Sequence, residues 1–98
     1  MKTISDYLHS IQYADYDPAE KETLVKYMTQ RDHLYAASTG RIKDRITGER
    51  LESVCYHLYS DGEYEWTSEE AYLVEKHGLK VSDEFFSHVI QKRNEEKD

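Results

Sequence analysis

Apolar residues recur at helical spacing near the start of the chain. Within residues 3–13 they follow the i, i+3, i+4, i+7 pattern of an amphipathic helix, which predicts a short first helix. The residues of this stripe are Ile4, Tyr7, Leu8 and Ile11. A second helix is predicted from Pro18, because Asp17 can cap it and proline is well tolerated at the first helical position.

Two more helices are predicted in the second half of the chain. Thr67 and Glu70 have the spacing of a capping box, and Gly78 supplies a C-terminal stop for the helix between them. A last helix is predicted to follow Ser82 or Asp83, since the next apolar residues also fall on one helical face. That face consists of Phe85, Phe86, Val89 and Ile90.

Between these helices, residues 53–66 alternate as expected for a β-hairpin, and residues 33–38 form a short apolar run typical of a strand. No element is assigned to residues 39–50. If Ser60–Gly62 form a three-residue loop, Leu58 pairs with Tyr64 and Tyr56 with Trp66. The apolar residues then share one face: Val54, Tyr56, Leu58, Tyr64 and Trp66. A two-residue loop at Asp61 and Gly62 would instead mix apolar and charged side chains on one face.

The predicted fold is α+β, with a small antiparallel sheet of two or three strands packed on one face by about four short helices. The expected order is α-α-β-β-β-α-α. The 98 residues suffice for one domain, which we assign to 1–93, and the charged residues 94–98 are expected to fray.

The net charge of −7 is concentrated in residues 51–75. The acidic residues there are Glu52, Asp61, Glu63, Glu65, Glu69, Glu70 and Glu75, and no lysine or arginine accompanies them. Residues 41–50 have the opposite bias, so a dipolar molecule is expected. The acidic field disfavours binding to nucleic acid or membranes and favours a basic partner. The single cysteine, Cys55, and the absence of an apolar leader predict a cytoplasmic protein.

The candidate chemistry is sparse. The carboxylates of Asp61, Glu63 and Glu65 alternate, but the glycine position does not fit a calcium loop, and the histidines lack zinc-site spacing. No phosphate-binding loop or nucleophile motif is present, so no metal, cofactor or catalytic residue is predicted. In the preferred register His57 faces Glu65, a pair more typical of a surface ion pair than of a catalytic one.

The sequence therefore predicts a protein-binding module without catalytic activity. Its expected binding surface comprises the outward residues of the hairpin and the start of the third helix: His57, Tyr59, Glu63, Glu65, Glu69 and Glu70. The partner is expected to be a basic protein, which the module could neutralise as immunity proteins and antitoxins do. The alternatives are a ligand binder or enzyme using His57, Glu65 and Cys55, an acidic mimic of nucleic acid, and a homo-oligomer formed through the hairpin edge.

Overall fold

The computed structural model describes residues 2–7 and 9–96, with the side chains of all of these except 39, 52–54 and 96. The elements in chain order are β1 (Lys2–Thr3), α1 (Pro18–Met28), β2 (Leu34–Lys43), β3 (Arg50–Ser60), β4 (Tyr64–Thr67), α2 (Ser68–His77) and α3 (Asp83–Glu96). One turn of 3₁₀ helix, Arg31–His33, precedes β2. No helix in the described part of the chain is long and apolar enough to cross a membrane.

The four strands form one mixed sheet in the order β1-β4-β3-β2. β1 is parallel to β4, and the other two pairings are antiparallel. Tyr13 and Leu79 add an isolated antiparallel bridge. The fold is α+β, but the predicted architecture is wrong: the sheet is larger and mixed, and the described residues contain three α-helices in the order β-α-β-β-β-α-α.

The described residues of 3–13 form no helix, because their apolar side chains are placed by separate tertiary contacts. Lys2 donates its backbone N–H to the Glu63 carbonyl at 3.1 Å, which adds β1 to the sheet. Ile4 is fully buried, and its carbonyl accepts from the Ser82 amide at 2.7 Å. A short isolated helix is marginal in water, so these tertiary contacts override the helical pattern. Leu8, part of the predicted stripe, lies outside the described residues.

The helix boundaries predicted from capping residues are confirmed. The Asp17 side chain accepts from the Ala19 amide at 3.1 Å, and both bonds of the capping box between Thr67 and Glu70 are present. Gly78 ends α2 in the left-handed conformation, with φ of 73°. A Cβ at this glycine would also lie 3.1 Å from the carbonyl oxygen of Ala14, so the residue satisfies two requirements at once.

The predicted hairpin register is wrong. Tyr59 lies opposite Trp66, Ser60 opposite Glu65 and Leu58 opposite Thr67. The turn begins one residue later than expected, because the carboxylate of Asp61 accepts from the amides of Glu63 and Tyr64 at 2.9 and 2.8 Å and closes it tightly. Leu58 thus pairs with Thr67 instead of Tyr64, a register shift of three residues. A shift by an odd number of residues exchanges the two faces of β3.

The covered face of the sheet carries Tyr59, Tyr64 and Trp66, all of them buried. Tyr59 stacks on Trp66 with ring centroids 6.3 Å apart, and the Trp66 indole N–H donates to the Met28 carbonyl at 2.8 Å. Phe85 of α3 completes the aromatic cluster, 5.3 Å from Trp66. Helices α1 and α3 therefore cover the face opposite to the one predicted for Tyr56 and Leu58.

The open face of the sheet carries the alternate residues Tyr56, Leu58, Ser60, Glu65 and Thr67. Tyr56 is 40% exposed, whereas the predicted fold buried it. The side chain of Val54, predicted beside it, lies outside the described residues. Thr67 is nevertheless buried, and its hydroxyl lies 3.3 Å from that of Tyr7.

Strand β2 extends through much of the segment left unassigned above and forms one edge of the sheet. Its pairing with β3 is irregular at three places, between Leu34 and Ile42. Irregular pairing and basic side chains, here Arg41 and Lys43, are common on edge strands, where they hinder pairing with a further strand. Homo-oligomerisation through the hairpin edge and fraying of residues 94–98 stay predictions. Residues 94–96 belong to α3, and residues 97–98 lie outside the described part of the chain.

Candidate functional site

A buried cluster of polar groups surrounds Asp61 at the turn between β3 and β4. While one carboxylate oxygen accepts the two turn amides, the other accepts the Tyr27 hydroxyl at 2.6 Å and the Nε2–H of His88 at 2.9 Å. Burial alone would raise the pKa of Asp61, but these hydrogen bonds outweigh it and hold the pKa below its ordinary value. The aspartate ties the hairpin turn to α1 and α3.

The turn between β2 and β3 has the same construction around Asp44. One oxygen accepts from the amides of Ile46 and Thr47 at 2.8 and 3.0 Å. The other accepts the Tyr72 hydroxyl at 2.9 Å and the Nε2–H of His77 at 2.8 Å, both from α2. Burial opposes ionisation of Asp44, yet the hydrogen bonds dominate and its pKa lies well below the ordinary value.

These two aspartate anchors, Asp44 and Asp61, explain groups that would otherwise suggest catalysis. Each carboxylate receives four donors, which matches its acceptor capacity, so neither keeps an oxygen site for substrate. The repetition of one arrangement at both hairpin turns fits a structural role. Sequence reasoning missed both anchors; an aspartate that opens a turn was the available signal, but its tyrosine and histidine partners are remote in sequence.

The structure distributes the six residues predicted as a binding surface over both faces of the sheet, the hairpin turn and the start of α2, and their binding role stays a prediction. Tyr59 is buried in the covered face, and half-buried His57 lies on the same side with its ring 6.4 Å from that of Tyr59. Glu63 lies in the turn, its carboxylate 3.3 Å from Nδ1 of His88. Glu65 is on the open face, opposite Ser60.

The other two predicted residues are buried at the start of α2. Glu69 pairs with Arg45, and Glu70 completes the capping box. The predicted pairing of His57 with Glu65 is wrong, because the true register places them on opposite faces. Cys55 accepts a hydrogen bond from Arg41 at 2.9 Å. The proposed triad of His57, Glu65 and Cys55 is therefore not assembled.

An acidic cavity opens beside the open face, where the N-terminal segment crosses the sheet. It has a volume of about 240 Å³. Its walls combine three carboxylate residues, Asp6, Glu65 and Glu70, with the rings of Tyr7 and Tyr56. Two of the predicted site residues thus do come together, but with partners that the sequence did not reveal, since Tyr7 was assigned to a helix and Tyr56 to the core.

Glu70 is the most unusual group of this acidic cavity. Its side chain accepts from the Ser5 hydroxyl at 2.7 Å and from the Thr67 amide at 3.1 Å. Burial nevertheless raises the pKa of Glu70 to about 7, because removal from water penalises the charged form more than these bonds favour it. This carboxyl consequently titrates near neutral pH.

A second depression, the basic cavity, lies on the other side of Tyr56. It has a volume of about 420 Å³, and its basic residues are Arg41, Lys43 and Arg45. Glu69 lines it as well and holds Arg45 in an ion pair. Tyr56 borders both cavities, so this tyrosine stands where the charge of the surface changes sign.

Within the described residues, no group of three or more histidine, cysteine, aspartate or glutamate side chains is arranged to hold a metal ion. No known family, curated protein or solved structure matches this chain.

Proposed function

We propose that this chain is a protein-binding module whose binding surface is the open face of the sheet around Tyr56. The observation that carries the proposal is the position of this tyrosine: it is 40% exposed, and it separates a cavity lined by carboxylates from one lined by basic side chains. Tyrosine is among the residues that contribute most to protein interfaces when a partner covers them.

The hydrogen bonding of the surroundings supports this function. Tyr56 is borne by the long strand β3, which pairs on both sides, and the two aspartate anchors fix the turns at its ends. A surface that is already ordered loses little conformational entropy when it binds. The scaffold therefore favours association over a role that needs a moving lid.

The negative net charge of the chain supports the proposal that its partner is a basic protein. The net charge of −7 creates an acidic field that accelerates encounter with basic proteins, and the acidic cavity beside Tyr56 is where a basic group would be desolvated. Neutralisation of a basic partner and a cytoplasmic location stay predictions.

The alternatives have less support. The separation of His57 from Glu65 removes the geometry proposed for catalysis, and the aspartate anchors account for the remaining histidine and carboxylate clusters described above. Mimicry of nucleic acid needs exposed carboxylates at regular spacing. Burial of Glu69 and Glu70 works against that role.

The test is affinity capture from the native host with wild-type protein and matched tyrosine variants. Tyr56→Ala should lose the specifically captured protein, whereas Tyr13→Ala should retain it, because Tyr13 is 59% exposed but lines neither cavity. The captured protein, identified by mass spectrometry and purified, should then bind wild type with a Kd that Tyr56→Ala raises about 30-fold or more. Equal binding by the two variants would refute the proposal.

A further inference from the structure

We infer that the acidic cavity receives the side chain of one arginine or lysine of the partner. This inference rests on the proposed function and adds the chemistry of the contact. The occupant is a side chain of a bound protein rather than a free metabolite, because the cavity, at about 240 Å³, is smaller than the roughly 300–1,000 Å³ of typical small-molecule sites.

The walls of the cavity match both parts of such a side chain. The rings of Tyr7 and Tyr56 and the side chain of Leu58 offer apolar surface to its aliphatic stem. Glu65 and Glu70 offer carboxylates to its charged end, and a tyrosine ring can add a cation–π contact. The combination selects a long cationic side chain over an apolar or an acidic one.

No lysine or arginine lines this acidic cavity among the described residues. The guanidinium of Arg45 lies over the Tyr7 ring at 5.3 Å, but it is paired with Glu69. Asp6, Glu65 and Glu70 come from three parts of the chain to line the cavity, and the exposed Asp6 carboxylate also lies 2.7 Å from Nδ1 of His9. A cation from a partner would complement their charge.

The buried carboxyl of Glu70 links this contact to pH. The groups that face it are Ser5, Asp6 and Tyr7 of the N-terminal segment, Tyr56 of β3, Glu65 of β4, and Thr67 and Glu69 of its own region. A bound cation favours the ionised carboxylate, so binding should release a proton. Affinity should therefore rise between about pH 6 and pH 8.

The test uses butylguanidinium as an arginine side-chain probe and butylurea as its neutral counterpart, each titrated into ¹⁵N-labelled protein. The guanidinium should shift the amides of Tyr7, Tyr56 and Thr67, and butylurea should shift them far less. Glu65→Gln and Glu70→Gln should each weaken binding about tenfold, since each removes a charged acceptor. Glu75→Gln, an exposed position on the same helix outside the cavity, should leave it unchanged.

Equal binding of the two probes, or shifts that avoid the cavity, would overturn the inference. If Glu70→Gln fails to fold, the binding of butylguanidinium to Glu65→Gln tests the inference, because Glu65 caps no helix. The result also separates this inference from the proposed function. If butylguanidinium does not bind but Tyr56→Ala still loses the captured protein, only the cavity contact is rejected. If butylguanidinium binds but Tyr56→Ala retains the captured protein, the partner-binding role is rejected, and the cavity contact with it.

Discussion

The two faces of the sheet place similar aromatic residues in different environments. On the covered face, Tyr59 and Trp66 stack beneath α1 and α3 and leave almost no exposed surface. On the open face, Tyr56 is 40% exposed and stands between cavities of opposite charge. Tyr56 and Tyr59 lie only three residues apart on one strand, so their different roles follow from strand alternation and register.

The Asp61 turn determines which of the two tyrosines is buried and which is exposed. A carboxylate that binds two turn amides and two side chains fixes the register of β3 against β4. Substitutions on the covered face and at the turn should therefore change stability, and substitutions on the open face should change binding.

The largest effect is expected from Trp66→Ala on the covered face. The loss of this buried indole and of its bond to the Met28 carbonyl should lower the free energy of unfolding by about 3–5 kcal/mol. Urea denaturation followed by circular dichroism measures it. A loss below about 1 kcal/mol would show that the covered face is not the core.

Asp61→Asn should lower the free energy of unfolding by about 2–3 kcal/mol. An amide group cannot accept from both the Tyr27 hydroxyl and His88 while its oxygen also accepts from the turn amides. Asp44→Asn is the matched variant at the other turn and should have a similar cost. Chemical denaturation tests both. An unchanged midpoint in both variants would contradict the anchoring role.

The anchors also predict the acid dependence of stability. The pKa values of Asp44 and Asp61 are lowered in the folded protein from an ordinary value of 3.8. Their contribution is therefore complete above that value and is lost as the pH falls below it. In denaturation curves from pH 5 to pH 2, each asparagine variant should lose less stability than wild type. Parallel curves would contradict this assignment.

Glu70 should act in the opposite direction. Its pKa is raised from 4.5 to about 7 on folding, so its contribution to stability is complete below pH 4.5 and declines as the pH rises to about 7. Glu70→Gln should flatten the stability profile between these values, while Glu75→Gln should not. A profile unchanged by Glu70→Gln would show that this carboxyl ionises normally.

The smallest effect on stability is expected from Tyr56→Ala on the open face. A residue 40% exposed and outside the core should change the free energy of unfolding by about 0.5 kcal/mol or less, although the proposed function predicts that the variant loses partner binding. Thermal denaturation beside wild type measures the shift. A loss similar to that of Trp66→Ala would mean that Tyr56 is structural.

Local signals in the sequence predicted α1, α2 and α3. Asp17 with Pro18, Thr67 with Glu70, and Gly78 act through backbone groups within a few residues, so their effects can be read without knowledge of the fold. The first predicted helix failed because β1 and Ile4 are placed by contacts with Glu63 and Ser82, which are remote in the sequence.

The candidate site was less predictable for the same reason. The choice of register rested on separating apolar from charged residues, whereas the structure sets it by the tertiary bonds of Asp61 and leaves Tyr56 exposed. Of the predicted surface, Glu65 and Glu70 line the acidic cavity. Tyr56, its central residue in our account, was predicted to be core because hydrophobic alternation does not show which aromatic side chain a helix covers.

The most direct test places a photo-reactive benzoylphenylalanine at position 56 and, in a matched variant, at position 13. Irradiation in the native host should give a discrete cross-linked product with a basic protein from position 56 and none from position 13. A product with a second copy of this chain, or no product from position 56, would contradict the claim that the open face binds a basic partner.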